Sequence, residues 1–112
     1  NPIMFEAGSA HLTSSAPEIL GAIRDVIMTM PYGINIEGHT DNVPVDTAEY
    51  PSNWELSTAR AVAVLKYLVN TDVDPQRLSA AGYGEFRPAF QNDTPENRAL
   101  NRRIEINVIR AH

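Results

Sequence analysis

The sequence predicts an α/β domain, an α+β sandwich in which helices pack on one face of a mixed β-sheet. Long segments with apolar residues at three- and four-residue steps alternate along the chain with short segments in which apolar and polar residues alternate. The predicted order is strand, helix, strand, helix, strand, short helix, strand. A chain of 112 residues can form one hydrophobic core but is short for two lobes around a cofactor cleft, so residues 1–112 are expected to form a single domain.

The first two predicted elements are a short strand over Ile3–Phe5 and an amphipathic helix over residues 15–30. Seven apolar residues recur on one face of this helix: Ala16, Ile19, Leu20, Ile23, Val26, Ile27 and Met30. Ser15 and Glu18 have the spacing of a capping box, and Pro17 suits the first turn.

The middle of the chain predicts a strand, a long loop and a second helix. Apolar and polar residues alternate over Ile34–Gly38, which indicates a strand with one face on the core. Residues 42–53 contain two prolines and show no period, and loops of this length are often functional. The second helix is predicted from Asn53, its N-cap, to about Val69. Because apolar residues lie nearly all round it, it should pack against the sheet.

The last third of the chain predicts two strands separated by a short helix. Leu78–Tyr83 is predicted to be a strand bounded by glycine, and Thr94–Leu100 suits a short helix with Thr94 as its cap. Clean alternation over Arg103–Val108 indicates a final strand.

Composition excludes several classes of function. Nine Lys and Arg against fourteen Asp and Glu give a net charge of −5, which argues against a nucleic-acid partner. The chain has no cysteine, so it can form neither a disulfide nor a thiolate metal site. His39 and Asp41 lack a third ligand at a recognisable spacing, so neither a metal nor another cofactor is expected.

Charged and polar residues converge on the end of the second predicted strand. Asp41 lies just beyond that strand, where open α/β sheets tend to bind ligands. Asn53, Ser57 and Arg60 form one polar stripe on an otherwise apolar helix. Two interpretations fit this pattern: a site for a zwitterion carrying an ammonium and a carboxylate, or a plain Asp41–Arg60 salt bridge. A further arginine from the Arg102–Arg103 pair is expected to reach the site, and the sequence does not say which one.

Four motifs, in order along the chain, resemble those of the OmpA-like peptidoglycan-binding domain. They are Gly38-His39-Thr40-Asp41-Asn42, Asn53-Trp54-Glu55-Leu56-Ser57-Thr58-Ala59-Arg60-Ala61, Gly82-Tyr83-Gly84-Glu85 with Pro88, and Asn101-Arg102-Arg103-Ile104-Glu105-Ile106. The resemblance covers almost the whole chain, from Phe5-Glu6-Ala7-Gly8-Ser9-Ala10 to the last strand.

This resemblance implies a non-catalytic domain that grips the stem peptide of peptidoglycan. The ligand centre of the family is diaminopimelate, whose ammonium would meet Asp41 and whose carboxylate would meet Arg60. The other matches to pocket-lining positions are Thr40, Asn53, Leu56, Ser57 and Arg102. The opening loop departs from relatives that carry Asp and Asn there, because this chain has Glu6, Gly8 and Ser9.

Within the family, the Val43–Ser52 insertion, the Asn53–Ser57 segment and the Asn92–Arg98 segment are most similar to the MotB/PomB B subunits of flagellar motor stators. This similarity implies a periplasmic fragment of an inner-membrane-anchored parent, a homodimer, and a stator A subunit as membrane partner. The alternatives are the wall-binding domain of an outer-membrane porin or lipoprotein, a peptidoglycan hydrolase or amidase that would require zinc, and a purely structural dimerisation module.

Overall fold

The computed structural model describes residues 4–109, and within them the chain forms three helices and a three-stranded sheet. The elements in chain order are α1 (Ala16–Ile27), β1 (Gly33–His39), α2 (Asn53–Asn70), β2 (Leu78–Gly82), α3 (Pro95–Asn101) and β3 (Arg103–Ile109). The predicted α/β class is confirmed. Within the same residues, no helix has both the length and the apolar character needed to cross a membrane.

β1 is the central strand of a mixed sheet with the order β2-β1-β3. It runs parallel to β2 and antiparallel to β3, so that Ile36 pairs with Ala80 on one side and Ile106 on the other. Side chains alternate along a strand. Ile34 and Ile36 therefore face the helices and are fully buried, while the polar residues between them face the other way. The buried members of the main core are Ala16, Leu20, Ile27, Ile34, Ile36, Ala61, Val64, Leu68 and Val73.

The predicted opening strand is not part of this sheet over the described residues. Ile3 lies outside them, and Phe5 forms only an isolated antiparallel bridge with Leu12. Gly8 has a φ of 68°, a left-handed conformation that glycine adopts at little cost, and it turns the chain back between these two residues. The opening segment is therefore a folded loop.

The boundaries of α1 correct two expectations. Ser15 occupies the cap position, but its φ of −83° and ψ of −16° are helical and its side chain makes no capping hydrogen bond, so the predicted capping box is wrong. α1 also ends at Ile27 rather than near residue 30. The N–H groups of Thr29 and Met30 donate to carbonyls three residues back, which shows that the backbone has tightened into turns.

Ser52, and not Asn53, caps α2. Ser52 has an extended backbone, with φ of −151° and ψ of 175°, and its Oγ accepts a hydrogen bond from the N–H of Trp54 at 3.1 Å. The same hydroxyl donates to the carboxylate of Glu55. Asn53 is the first helical residue, so its side chain is released from capping. The predicted cap of α3 is confirmed, since Thr94 Oγ1 accepts from Asn97 N at 3.1 Å.

Two glycines let α2 lie directly against the sheet. A Cβ built on Gly38 would lie 2.0 Å from the carbonyl oxygen of Ser57, and one on Gly82 would lie 2.1 Å from Thr58 Oγ1. Both distances are far below van der Waals contact, so a larger residue would push the helix away. This close approach brings the first turns of α2 to the ends of β1 and β2.

Candidate ligand-binding site at the end of the central strand

Thr40 and Asp41 form the floor of the site, immediately after β1. Both are buried, and Asp41 is only 5% exposed. The N–H of Thr40 donates to the carbonyl of Gly84 at 2.9 Å, which ties this turn to the loop after β2. The Thr40 hydroxyl donates to the Asp41 carbonyl at 2.8 Å. The backbone therefore holds the Asp41 carboxylate in a fixed position.

Asp41 forms an ion pair with Arg102. Arg102 Nη1 donates to Asp41 Oδ2 at 2.5 Å, while Asp41 Oδ1 accepts from the N–H of Val43 at 3.0 Å. The Arg102 side chain is 43% exposed, so it covers Asp41 from the solvent side. Arg102 can reach Asp41 because it directly precedes β3, which pairs with β1. The interpretation that Asp41 and Arg60 form a plain salt bridge is therefore wrong.

Arg60 is buried and is held by backbone carbonyls. It is only 6% exposed, its Nε donates to the Ser9 carbonyl at 2.8 Å, and its Nη2 donates to the Glu6 carbonyl at 3.1 Å. Its guanidinium carbon lies 5.3 Å from the centre of the Phe5 ring, a cation–π distance. Burial and the positive charge of Arg102 lower the pKa of Arg60, while the charge of Asp41 opposes this effect.

The opening loop contributes to the site through its backbone. Both of its contacts with Arg60 are made by carbonyl oxygens, those of Glu6 and Ser9. A carbonyl is present whatever the side chain is. The unusual side chains of this loop, at Glu6, Gly8 and Ser9, therefore do not prevent its backbone from binding Arg60.

Asn53 connects the helix start to both neighbouring loops. Its Nδ2 donates to the carbonyls of Val43 at 3.1 Å and Asp41 at 3.4 Å, and to Glu85 Oε1 at 3.4 Å. Its Oδ1 is buried and has no hydrogen-bond partner among the described residues. An unpaired buried acceptor is costly and often indicates a missing partner. The contact with Glu85 could not be predicted from spacing, because it joins the start of α2 to the loop after β2, 32 residues away along the chain.

Ser57 and Leu56 occupy supporting positions. Ser57 is fully buried, and its hydroxyl accepts from Gly84 N at 3.0 Å and donates to the Trp54 carbonyl at 3.1 Å. Leu56 packs with Ala10 and Tyr50 in a second, smaller core. This cluster fixes the far side of the opening loop, since the N–H of Ala10 donates to the Tyr50 hydroxyl at 3.2 Å.

Trp54 lies at the edge of the site and is partly exposed. Its ring stacks on Phe86 with centroids 5.0 Å apart. A surface depression of about 460 Å³ adjoins it and is lined by Glu49, Tyr50, Trp54, Glu55, Thr58, Ala59 and Val62.

The predicted stripe of Asn53, Ser57 and Arg60 does lie on one buried face of α2.

The site combines a buried carboxylate, two guanidinium groups and an unpaired amide oxygen. Charges of both signs, fixed by backbone contacts, can recognise a ligand that itself carries both signs. His39 takes no part, because strand alternation turns its ring to the opposite face of the sheet, where it contacts Glu37.

Fold and site together define a small α/β domain with a charged recognition site at the end of its central strand. The chain belongs to the OmpA family, which it matches over residues 4–102.

Two curated relatives align with nearly the whole chain. Motility protein B of Bacillus subtilis is 38% identical over 109 residues, covering 96% of this chain and 42% of the relative. The peptidoglycan-binding protein ArfA of Mycobacterium tuberculosis is 38% identical over 108 residues, covering 96% of this chain and 32% of the relative. This chain thus spans less than half the length of either protein.

Solved structures show the same fold. The periplasmic domain of Helicobacter pylori MotB is 34% identical with a TM-score of 0.85, and the match covers 92% of this chain and 68% of that one. The cell wall anchor of the T6SS from Pseudomonas aeruginosa is 37% identical with a TM-score of 0.90, and the match covers 96% of this chain and 76% of that one. The predicted similarity to MotB-type domains is confirmed.

Proposed function

We propose that this domain binds peptidoglycan without cleaving it, through the diaminopimelate residue of the stem peptide, and so anchors a membrane protein to the cell wall. Support comes from the similarity to ArfA, which is a peptidoglycan-binding protein by name, and to the T6SS cell wall anchor. The similarity to MotB periplasmic domains supports a periplasmic location and a stator B subunit as the parent.

The observation that carries the proposal is the placement of Asp41 and Arg60, two nearly buried groups of opposite charge, on the turn after β1 and the facing side of α2. The side-chain end of diaminopimelate carries an ammonium and a carboxylate on one carbon atom. Asp41 would attract the ammonium, and Arg60 would donate to the carboxylate. A charged hydrogen bond formed in a site shielded from water is stronger than one formed at the surface.

Arg102 has to be rearranged when such a ligand binds. Arg102 is paired with Asp41, and its partial exposure leaves it room to move aside. The ligand's ammonium would then replace the guanidinium beside Asp41, and Arg102 would be free to meet a ligand carboxylate. The unpaired Oδ1 of Asn53 would accept a second hydrogen bond from the ammonium, while Thr40, Leu56 and Ser57 hold the surrounding backbone in place.

The decisive experiment is Arg60→Lys, with Arg77→Lys as its control. Lysine keeps the positive charge, but it cannot hold the Ser9 and Glu6 carbonyls in the planar arrangement of the guanidinium and donate to a ligand as well. We expect affinity for a diaminopimelate-containing peptide to fall by about 1.5–3 kcal/mol, or roughly tenfold to a hundredfold, as measured by calorimetry on folded protein. Arg77 likewise donates through Nε and Nη2 to backbone carbonyls, those of Tyr32, Ile27 and Met30, and none of these residues belongs to the site.

Arg77→Lys should therefore lower stability in the same way as Arg60→Lys and leave affinity unchanged. A stem peptide with lysine in place of diaminopimelate lacks the terminal carboxylate, so it should bind wild type weakly and respond little to Arg60→Lys. Equal affinity of wild type and Arg60→Lys for the diaminopimelate peptide would remove Arg60 from the ligand site.

The remaining partners follow from the same similarity. As a stator B subunit, the parent would form a homodimer and would contact a stator A subunit through a membrane segment outside this chain. Sedimentation equilibrium of the domain over a range of concentrations measures the pairing. A mass that stays monomeric at high concentration would place the dimer contacts elsewhere in the parent.

A further inference from the structure

A second cluster of charged groups lies on the face of the sheet opposite the helices. Glu37 and His39 are two residues apart on β1 and therefore share this face, and Glu37 is paired directly with Glu105 on β3. His39 Nε2 lies 3.4 Å from Glu37 Oε1 and 3.9 Å from Glu105 Oε2. The three potential ligand atoms all lie within 4.8 Å of one another.

We propose that Glu37, His39 and Glu105 bind one first-row divalent metal ion, with zinc as the best fit. Bonds of about 2.0–2.2 Å to nitrogen and oxygen in tetrahedral geometry place neighbouring ligand atoms roughly 3.3–3.6 Å apart. The two His39 separations, 3.4 and 3.9 Å, are close to that spacing, and the three ligand atoms lie within 4.8 Å of one another. A set of one imidazole and two carboxylates suits zinc better than calcium or magnesium, which prefer oxygen alone.

The buried imidazole gives independent support. His39 is 2% exposed, and its ring stacks on Tyr83 with centroids 5.4 Å apart. Its Nδ1 has no partner among the described residues, and its Nε2 is aimed at the two carboxylates at distances longer than the usual hydrogen bond of about 2.9 Å. A buried polar ring with such weak hydrogen bonding leaves room for an ion.

The charges around the cluster also favour a cation. Two carboxylates directly opposite each other on neighbouring strands repel. A positive group faces them in Arg103, whose Nε donates to Glu105 Oε2 at 2.5 Å, and a second, Arg87, lies on the far side of the Tyr83 ring that stacks on His39. The other nitrogens of Arg103 donate to the carbonyls of Asn101 and Arg87. With neutral His39 the cluster and Arg103 together carry a net charge of −1, so a divalent ion would still be attracted.

The ligand groups are oriented and accessible. Asn35 Nδ2 donates to Glu37 Oε2 at 3.2 Å, which turns Oε1 towards His39. Such support from neighbouring groups is typical of metal ligands. Glu105 Oε2 already accepts from Arg103, but the Glu105 side chain is 40% exposed, which gives its carboxylate room to turn towards an entering ion, with a water as fourth ligand. The sequence predicted no metal here because it offered only Asp41 as a partner for His39. The strand register supplies two other ligands.

The test is a zinc titration of chelator-treated protein, followed by calorimetry and thermal unfolding. We expect saturation near one ion per chain, a rise in melting temperature, and a shift of the His39 Nε2 resonance in the NMR spectrum. Glu105→Gln should weaken zinc binding at least tenfold. This variant changes an exposed side chain, so it avoids the folding risk of replacing His39.

Glu49→Gln is the matched control. Glu49 lies 3.5 Å from His11 Nε2 in an exposed His–Glu pair, and among the described residues that pair has no third ligand. Its removal should leave zinc affinity unchanged. No saturable binding, or equal affinity of wild type and Glu105→Gln, would overturn the proposal. Because no wall ligand is used, this result is independent of the peptidoglycan proposal.

Discussion

Asp41 is the residue whose two possible roles can best be separated by one substitution. Its carboxylate binds Arg102 and accepts a hydrogen bond from Val43 N in the turn. An amide in its place would keep the hydrogen-bond acceptor but lose the charge. Because Arg102 is partly exposed, the ion pair should contribute only modestly to stability.

Asp41→Asn should therefore fold nearly normally and bind a diaminopimelate peptide roughly tenfold or more weakly, the usual scale for a charged hydrogen bond. Calorimetry gives the affinity and a melting curve gives the stability. Asp46→Asn is the control, because Asp46 is an exposed acid in the same loop. A variant that melts earlier but binds as well as wild type would assign Asp41 a structural role only.

At the scale of single residues, the sequence identified positions better than partners. The stripe of Asn53, Ser57 and Arg60 was predictable because helical spacing alone places these residues on one face. The partners of Arg60 were not, because carbonyl oxygens carry no side-chain signal. Nor was the choice of Arg102 over Arg103, since that depends on the register of β3, which pairs Arg103 with His39 and leaves Arg102 beside the turn after β1.

At the scale of elements, the start of α2 separates capping from ligand binding. Ser52 caps the helix, while the Asn53 side chain points into the site. We expect Ser52→Ala to destabilise the domain by about 1 kcal/mol through the lost cap and to leave peptide affinity unchanged. Asn53→Ala should weaken peptide binding as well. Urea unfolding and calorimetry on both variants provide the comparison, and a loss of affinity in Ser52→Ala would contradict this division of roles.

The same cap predicts a pH dependence. The hydrogen bond from Ser52 lowers the pKa of Glu55 from its ordinary value of 4.5. A carboxyl group with a lowered pKa stabilises the folded state above its ordinary pKa, and this contribution is lost as the pH falls through the folded value. The stability difference between wild type and Ser52→Ala should therefore shrink in acid.

The contact of α2 with the sheet rests on glycine. Gly38→Ala would place a methyl group against the Ser57 carbonyl, and backbone cannot move aside as a flexible side chain can. We expect a loss of about 3 kcal/mol in the free energy of unfolding, at the upper end for an overpacked core. Gly21→Ala is the control: it lies inside α1 with open space around its Cβ, and should raise stability by roughly 0.5–1 kcal/mol. Equal stability of Gly38→Ala and wild type would show that α2 can shift freely.

Element types were predictable because each helix and strand has a clear apolar period, whereas element ends were not. The helical backbone tightens into turns at Thr29 and Met30. The sequence does not show this, because the apolar period that predicted the helix continues to Met30. The Glu37–His39–Glu105 cluster was also missed, although alternation placed Glu37 and His39 on one face. Its third member, Glu105, is placed by the register between β1 and β3. The apolar period of a strand does not predict that register.

At the scale of the whole molecule, the proposed wall binding has to work in an acidic chain. Its net charge of −5 offers no general attraction to an anionic ligand, so wall binding must depend on a local site rather than on overall charge. Wall binding should accordingly depend only weakly on salt, because the charges of Asp41 and Arg60 are buried and poorly screened.

The isolated domain should therefore co-sediment with purified peptidoglycan and leave it intact. Within the described residues the site offers carboxylate, guanidinium and amide groups, which recognise charge, and the Ser57 hydroxyl is already engaged with Gly84 and Trp54. A metal bound at the cluster proposed on the opposite face could activate water, so the experiment needs a comparison with and without zinc. Sedimentation should be measured with added zinc and with a chelator, together with the release of soluble fragments. If soluble fragments are released only when zinc is present, the domain would be a hydrolase and not an anchor. Equal sedimentation without fragments in both conditions would support recognition alone.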